Sequence, residues 1–143
     1  MEKVPENNSQ YDVIVIGAGV AGLYQLYKLR QLKLKVLVIE AGDNVGGTWY
    51  WNRYPGARFD SESWSYGYSF SRELFEEWDW PEHFAAQPDT LRYLNYVADK
   101  FDLRRDINFN RRVKAALFNE KTNFWTVRTD TNESFEARFL ITA

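Results

Sequence analysis

Cysteine is missing from this 143-residue chain, so disulfides, thiolate metal sites, thiol nucleophiles and a dithiol redox centre are all excluded. A reducing cytoplasm suits such a chain. With one histidine, His83, there is no metal constellation either, and an imidazole alone in a polar loop reads as solvated. Neither sign of charge dominates: 18 Lys plus Arg stand against 20 Asp plus Glu, for a net charge of −2. No positive field favours nucleic acid. Long apolar runs are absent too, the nearest being Val13 to Leu23, which is too short and too rich in glycine to cross a bilayer. Met1 to Gln10 is polar, contains Pro5 and lacks the apolar stretch of a secretory signal. No internal repeat or low-complexity tract is visible. The expectation is a flexible tail over residues 1–10 followed by one soluble unit large enough to bury a core.

What is present begins at residue 11. Tyr11 to Ile16 is a short apolar run of the kind buried in a parallel sheet. It leads straight into Gly17-x-Gly19-x-x-Gly22, and Val20 to Arg30 then places Leu23, Leu26, Tyr27 and Leu29 at roughly helical spacing. Lys35 to Ile39 is a second strand, and Glu40 falls at its carboxyl end. Strand, glycine turn, helix, strand and acid in that order predict a dinucleotide site. Gly17 permits the tight turn, Gly19 lets the main chain approach a pyrophosphate, and Gly22 lets the helix lie close to the sheet. The first N–H groups of that helix face the phosphates. A carboxylate at position 40 accepts hydrogen bonds from ribose hydroxyls and repels a 2′-phosphate, so the ligand here is expected to be FAD or NAD and not NADP.

Beyond Glu40 the pattern breaks into an irregular, aromatic segment, Ala41 to Trp80, punctuated by Gly42, Gly46-Gly47, Pro55-Gly56 and Gly67. Unstructured stretches of that length inside a compact domain are usually functional. Helix resumes near Pro88, with Gln87 or Asp89 as its cap and Leu91, Leu94, Val97, Ala98 and Phe101 on one face. From Ile107 the period changes to two, with strands expected at Val113 to Phe118, Phe124 to Arg128 and Phe135 to Ile141. Residues 119–123 make a hairpin loop between the first two. The run from Arg138 to Ala143 reads as a buried strand with no following turn, and the chain is expected to be truncated within a larger fold. The fold class is therefore α/β: a Rossmann-like domain with a parallel sheet built on the glycine-turn βαβ unit, plus a β-hairpin or meander, incomplete at the carboxyl end.

The string Gly46-Gly47-Thr48-Trp49-Tyr50-Trp51-Asn52-Arg53-Tyr54-Pro55-Gly56-Ala57-Arg58-Phe59-Asp60 closely resembles the type I Baeyer–Villiger monooxygenases. The likeness continues through Glu62-Ser63, Tyr66-x-Tyr68-Ser69-Phe70, Glu77-Trp78-x-Trp80 and Tyr96 to Leu103. It implies tightly bound FAD, NADPH as electron donor, and insertion of one atom of O₂ beside a ketone carbonyl to give an ester or lactone. Carried over by position, FAD contacts fall on Gly17, Gly19, Ala21 and Gly22, on Glu40, on Gly46, Gly47, Thr48, Trp49, Tyr50 and Trp51, on Asp60 and Tyr66, and on the main chain of Val113 near the adenine. NADP contacts fall on Arg58, Phe59 and Asp60. Asp60 is implied to position an active-site arginine that this chain does not contain. Physical chemistry is compatible with these roles: paired glycines allow close backbone approach, and Trp49 and Trp51 are suited to wall a flat ring system against water. Trp64, Trp78 and Trp80 are expected to pack a core or a domain interface.

The family's second glycine-rich turn, its histidine-containing fingerprint and its catalytic arginine are all absent from these residues. The chain reads as the amino-terminal portion of an FAD-binding domain over residues 11–143, inactive alone, with a ketone and O₂ as the whole enzyme's reactants and a carboxyl-terminal portion as its natural complement. Two other readings stay open. One is a related flavin monooxygenase that oxygenates nitrogen or sulfur, and the other is a non-catalytic module that holds FAD.

Overall fold

The computed structural model describes residues 10–143. The expected tail therefore lies outside the described residues except for Gln10, which already opens the first strand, β1 (Gln10–Ile16). There follow α1 (Val20–Gln31), β2 (Val36–Ile39), α2 (Thr48–Trp51), α3 (Ser63–Tyr66), α4 (Arg72–Glu77), α5 (Gln87–Lys100), β3 (Ile107–Asn108), β4 (Val113–Asn119), β5 (Phe124–Thr129) and β6 (Ser134–Thr142).

The strands form one six-stranded sheet in the order β3-β2-β1-β6-β5-β4. Pairing is parallel from β3 to β6 and antiparallel from β6 to β4, so the parallel sheet and the meander are continuous. The junction is β6, whose early residues Ser134 to Ala137 pair with β5 and whose length from Glu136 to Thr142 pairs with β1. The hairpin forms where expected. Asn119 Oδ1 accepts the N–H groups of Lys121 (3.0 Å) and Thr122 (3.3 Å), and Asn123 takes the left-handed conformation that asparagine tolerates.

β1 and β2 are apolar without alternation because they are buried on both faces. Val13, Val15, Val36 and Val38 pack with Leu23 and Leu26 of α1 and with Leu94 and Val97 of α5. Ile14, Leu37 and Ile39 face the other way and pack with Val127, Phe135 and Ala137 of the meander. Burial of a side chain such as Leu26, with no exposed surface, contributes roughly 1.5–3 kcal/mol.

Three expectations are corrected. Ala41 to Trp80 is not unstructured, for it contains α2, α3 and α4. Helices of four to six residues are too short to show a period, and tertiary contacts hold them in place of propensity. Gly46 N–H donates to the Ala18 carbonyl (3.0 Å), Ser71 Oγ caps α4 by accepting from Leu74 N–H (3.2 Å), and the Phe59 and Tyr66 rings stack with centroids 4.3 Å apart. Second, the residue before α5 is Ala86, so neither Gln87 nor Asp89 caps it; the Gln87 side chain is turned to another partner. Third, the end of β6 is not fully buried: Phe139 is 61% exposed. Ala137 and Leu140 both pack on the Ile14 side although three residues apart. Strict alternation therefore breaks between them, and Phe139 turns outward.

Candidate cofactor-binding cleft

At the carboxyl ends of β1 and β2 the chain leaves a cleft of about 660 Å³, the place where open α/β sheets receive ligands. The glycine turn forms its floor. Gly17 has φ +104°, a conformation costly for any residue with a Cβ. Any Cβ at Gly22 would overlap the Gly17 carbonyl oxygen, which fixes how closely α1 descends onto the turn. The N–H groups of a helix's first turn lack intrahelical acceptors, and no side chain caps those of α1. Val20 and Ala21 of that turn line the cleft.

Glu40 directly follows β2 and is only 5% exposed. Its Oε2 accepts the Ala18 N–H at 2.7 Å and its Oε1 accepts the Gly42 N–H at 2.7 Å. The acid thus ties the glycine turn to the loop after β2. A carboxylate has about four lone-pair sites, so acceptor capacity remains beyond these two bonds, and Glu40 is one of the residues lining the cleft.

Gly47, Thr48, Trp51, Asn52 and Tyr66 also line the cleft. Arg111, Arg112 and Val113 line it at the head of β4, and Ala143 adjoins the turn through its N–H bond to the Ile16 carbonyl (2.9 Å). The Arg111 guanidinium is engaged by Glu133. Arg112 has no ion pair among the described residues, while its main chain is held by Asp130 through N–H to Oδ1 (3.0 Å) and carbonyl to N–H (2.9 Å).

Among the residues anticipated from sequence, Gly17, Gly19, Ala21, Glu40, Gly47, Thr48, Trp51, Tyr66 and Val113 all meet at this cleft. Others stand behind it. A Cβ on Gly46 would meet Leu91 Cδ1 at 2.6 Å, so this glycine faces the packed interior. Trp49 is buried, its Nε1–H donating to Tyr66 Oη at 2.7 Å and its ring edge-on to Phe59. Of the two tryptophans expected to wall the site, only Trp51 reaches it. Tyr50 points to Asp43, with Oη 2.7 Å from Oδ1.

Arg58 and Asp60 do not line the cleft. The Arg58 guanidinium lies 2.8 Å from both Glu82 Oε2 and the Phe84 carbonyl, Phe59 is buried, and Asp60 is exposed. Trp78 and Trp80 pack against the core as expected, whereas Trp64 is 58% exposed. His83 is solvated beside Glu62 (3.5 Å). No cluster of metal-ligating side chains exists among the described residues, and no helix is long and apolar enough to cross a membrane.

Sequence reasoning missed Arg111, Arg112, Asn52 and Ala143. The one available signal was the basic doublet standing immediately before the strand that starts at Val113.

Behind α1 lies a tyrosine pair. Tyr68 Oη donates to the Val20 carbonyl (2.5 Å), and Tyr93 Oη accepts the Tyr68 N–H (2.7 Å). Burial, with the neighbouring Tyr93 and Tyr66, pushes the Tyr68 phenol far above its ordinary range. Burial raises Tyr93 to about 12. Both are therefore neutral hydrogen-bonding groups at physiological pH.

Residues 15–76 match the family model of the NAD(P)-binding Rossmann-like domain. A solved structure of an oxidized steroid monooxygenase bound to NADP superimposes with a TM-score of 0.93 at 56% identity, over 94% of this chain and 26% of that one. A Baeyer–Villiger monooxygenase of Pseudooceanicola batsensis is 47% identical over 94% of this chain and 25% of its own length. The phenazine N-monooxygenase PhzNO1 of Lysobacter antibioticus is 46% identical over 98% and 26%. The chain thus spans about a quarter of the length of the relatives it matches. With identities of 46–56% over almost its whole length and a TM-score of 0.93, the chain is a homologue of about a quarter of the length of the Baeyer–Villiger monooxygenases.

Proposed function

We propose that this chain is the FAD-holding part of an NADPH-dependent flavin monooxygenase that inserts one atom of O₂ beside a ketone carbonyl, giving an ester or lactone, and that it is inactive alone. The cleft is the observation that carries the reading. Its donor set fits FAD: the uncapped turn of α1 offers N–H groups to a pyrophosphate, and Glu40 retains acceptor sites for ribose hydroxyls. Ile16, Ile39 and Val113 supply apolar surface. When bound, FAD supplies the redox and oxygen chemistry. The residues of this chain bind and orient it, with Trp51 and Tyr66 giving flat surface for a ring system. Arg58, Phe59 and Asp60, off the cleft, serve the NADPH side. The ketone is met chiefly by parts of the enzyme beyond this quarter. Lack of cysteine supports a cytoplasmic setting.

A second reading, oxygenation of nitrogen, is supported by the phenazine N-monooxygenase relative. Equilibrium dialysis tests the cofactor. The chain is expected to retain FAD and Gly19→Val to lose it; equal retention overturns the site. Fusing the chain to the remaining three quarters of a cyclohexanone monooxygenase tests the activity, read as ketone-stimulated NADPH oxidation with product analysis. N-oxide from an amine with no ester from any ketone would favour the second reading.

A further inference from the structure

Gln87 is a buried side-chain amide, 8% exposed, in the first turn of α5. Its backbone N–H donates to the Ala57 carbonyl (2.8 Å), and its Nε2–H donates to the Trp49 carbonyl. Trp49 belongs to α2, a helix of only four residues. The carbonyls of a helix's last turn have no intrahelical donors. In α2 the Thr48 carbonyl is taken by Asn52 N–H (2.9 Å), whereas the buried Trp49 carbonyl depends on Gln87. A segment this short does not hold itself helical. Yet it presents Thr48 and Trp51 to the cleft, and the Trp49 indole holds Tyr66 there as well.

We infer that Gln87 is a positioning residue: without lining the cleft, it fixes the α2 wall through the Trp49 carbonyl and so sets how well that wall meets the flavin end of the cofactor. Only the last clause rests on the FAD reading. Methionine matches the shape of glutamine and lacks the donor. Glutamate donates only while protonated and presents acceptors alone once ionised.

Two measurements on this chain test the inference. In Gln87→Met, amide hydrogen exchange at residues 49–52 is expected to quicken at least tenfold while β1 stays protected. FAD affinity is expected to fall about tenfold and ADP affinity to stay within twofold, because ADP needs only the glycine turn, the start of α1 and Glu40. Gln87→Glu is expected to match the parent with its carboxyl protonated and the methionine variant above that pH, a dependence that a mere packing role does not give. Unchanged α2 protection in Gln87→Met, or equal loss of protection in α2 and β1, overturns the inference. A parent chain that binds no FAD overturns the cofactor reading instead, and the exchange comparison still decides the role of Gln87.

Discussion

Gly19 and Gly47, from loops 28 positions apart in the chain, meet main chain to main chain: a Cβ on Gly47 would stand 2.8 Å from the Gly19 Cα. The glycine turn and the entrance to α2 are therefore one backbone surface, and both line the cleft. Gly19 earns its place partly by that contact, since a Cβ on it would lie 3.3 Å from the Gly47 Cα.

Gly47→Ala is expected to destabilise the fold and distort the cleft together. Gly47 has φ +52° and ψ −119°, a region that residues with a Cβ enter at a cost of about 1–3 kcal/mol, and the contact with Gly19 leaves no room to relax. Urea unfolding should show a lower midpoint, and FAD retention should fall in parallel. An alanine variant with the parent's midpoint would refute the close contact.

Glu40→Ala removes the acceptor for two main-chain N–H groups, one of them on the glycine turn. Leaving a buried donor unpaired costs about 1–3 kcal/mol, so the loss of stability should be measurable with no cofactor present. Glu40→Gln keeps one acceptor oxygen and should fall between the parent and alanine. If Glu40 served the ribose alone, unfolding of the cofactor-free chain would be the same in all three.

Tyr93→Phe orphans the Tyr68 N–H, which has Tyr93 Oη as its partner, and an expected loss of about 1–3 kcal/mol follows. Tyr68→Phe instead frees the Val20 carbonyl near the start of α1. Spectrophotometric titration should show the Tyr93 phenol resisting ionisation until the pH reaches about 12, and the Tyr68 phenol resisting it further still, unless the chain unfolds first.

Acid is expected to loosen α4 from α5. The Glu77 carboxyl is held below its ordinary range first by the hydrogen bond from Lys100 (2.7 Å) and then by that from Tyr96 (2.7 Å). A lowered folded-state pKa means stabilisation that is complete above the unfolded carboxylate value and lost as pH falls through the folded one. Lys100, raised chiefly by Glu77, acts oppositely: its contribution is full below the ordinary lysine value and is lost as pH rises through the raised one. Glu133, also lowered, chiefly by Thr131 and then by Arg111, adds to the acid limb. Urea midpoints from pH 7 to pH 3 should therefore fall less steeply in Glu77→Gln than in the parent. Parallel curves would show that the Glu77 contacts do not contribute.

Much of the βαβ unit was legible because its signals are local. β1 and β2 are buried on both faces and so read as unbroken apolar runs, while the turn between β1 and α1 needs glycines at fixed offsets. The meander was legible from its period of two and from the Asn119 to Asn123 loop. The aromatic segment was not. Trp49 and Trp51 look equivalent in sequence, yet a four-residue helix sends one into the core and the other to the cleft. Gln87 reads as a cap by composition, but its side chain answers the Trp49 carbonyl, 38 positions away.

The sequence by itself determined the strand, the glycine turn and the acid that meets it, because these depend on backbone freedom over six neighbouring residues and on one residue at a strand end. Tertiary structure alone decided which aromatic rings line the cleft, that Arg111 and Arg112 line it as well, and that Gly19 touches Gly47. Those outcomes come from packing between segments far apart in the chain, where each side chain's direction is set by partners that no local pattern names.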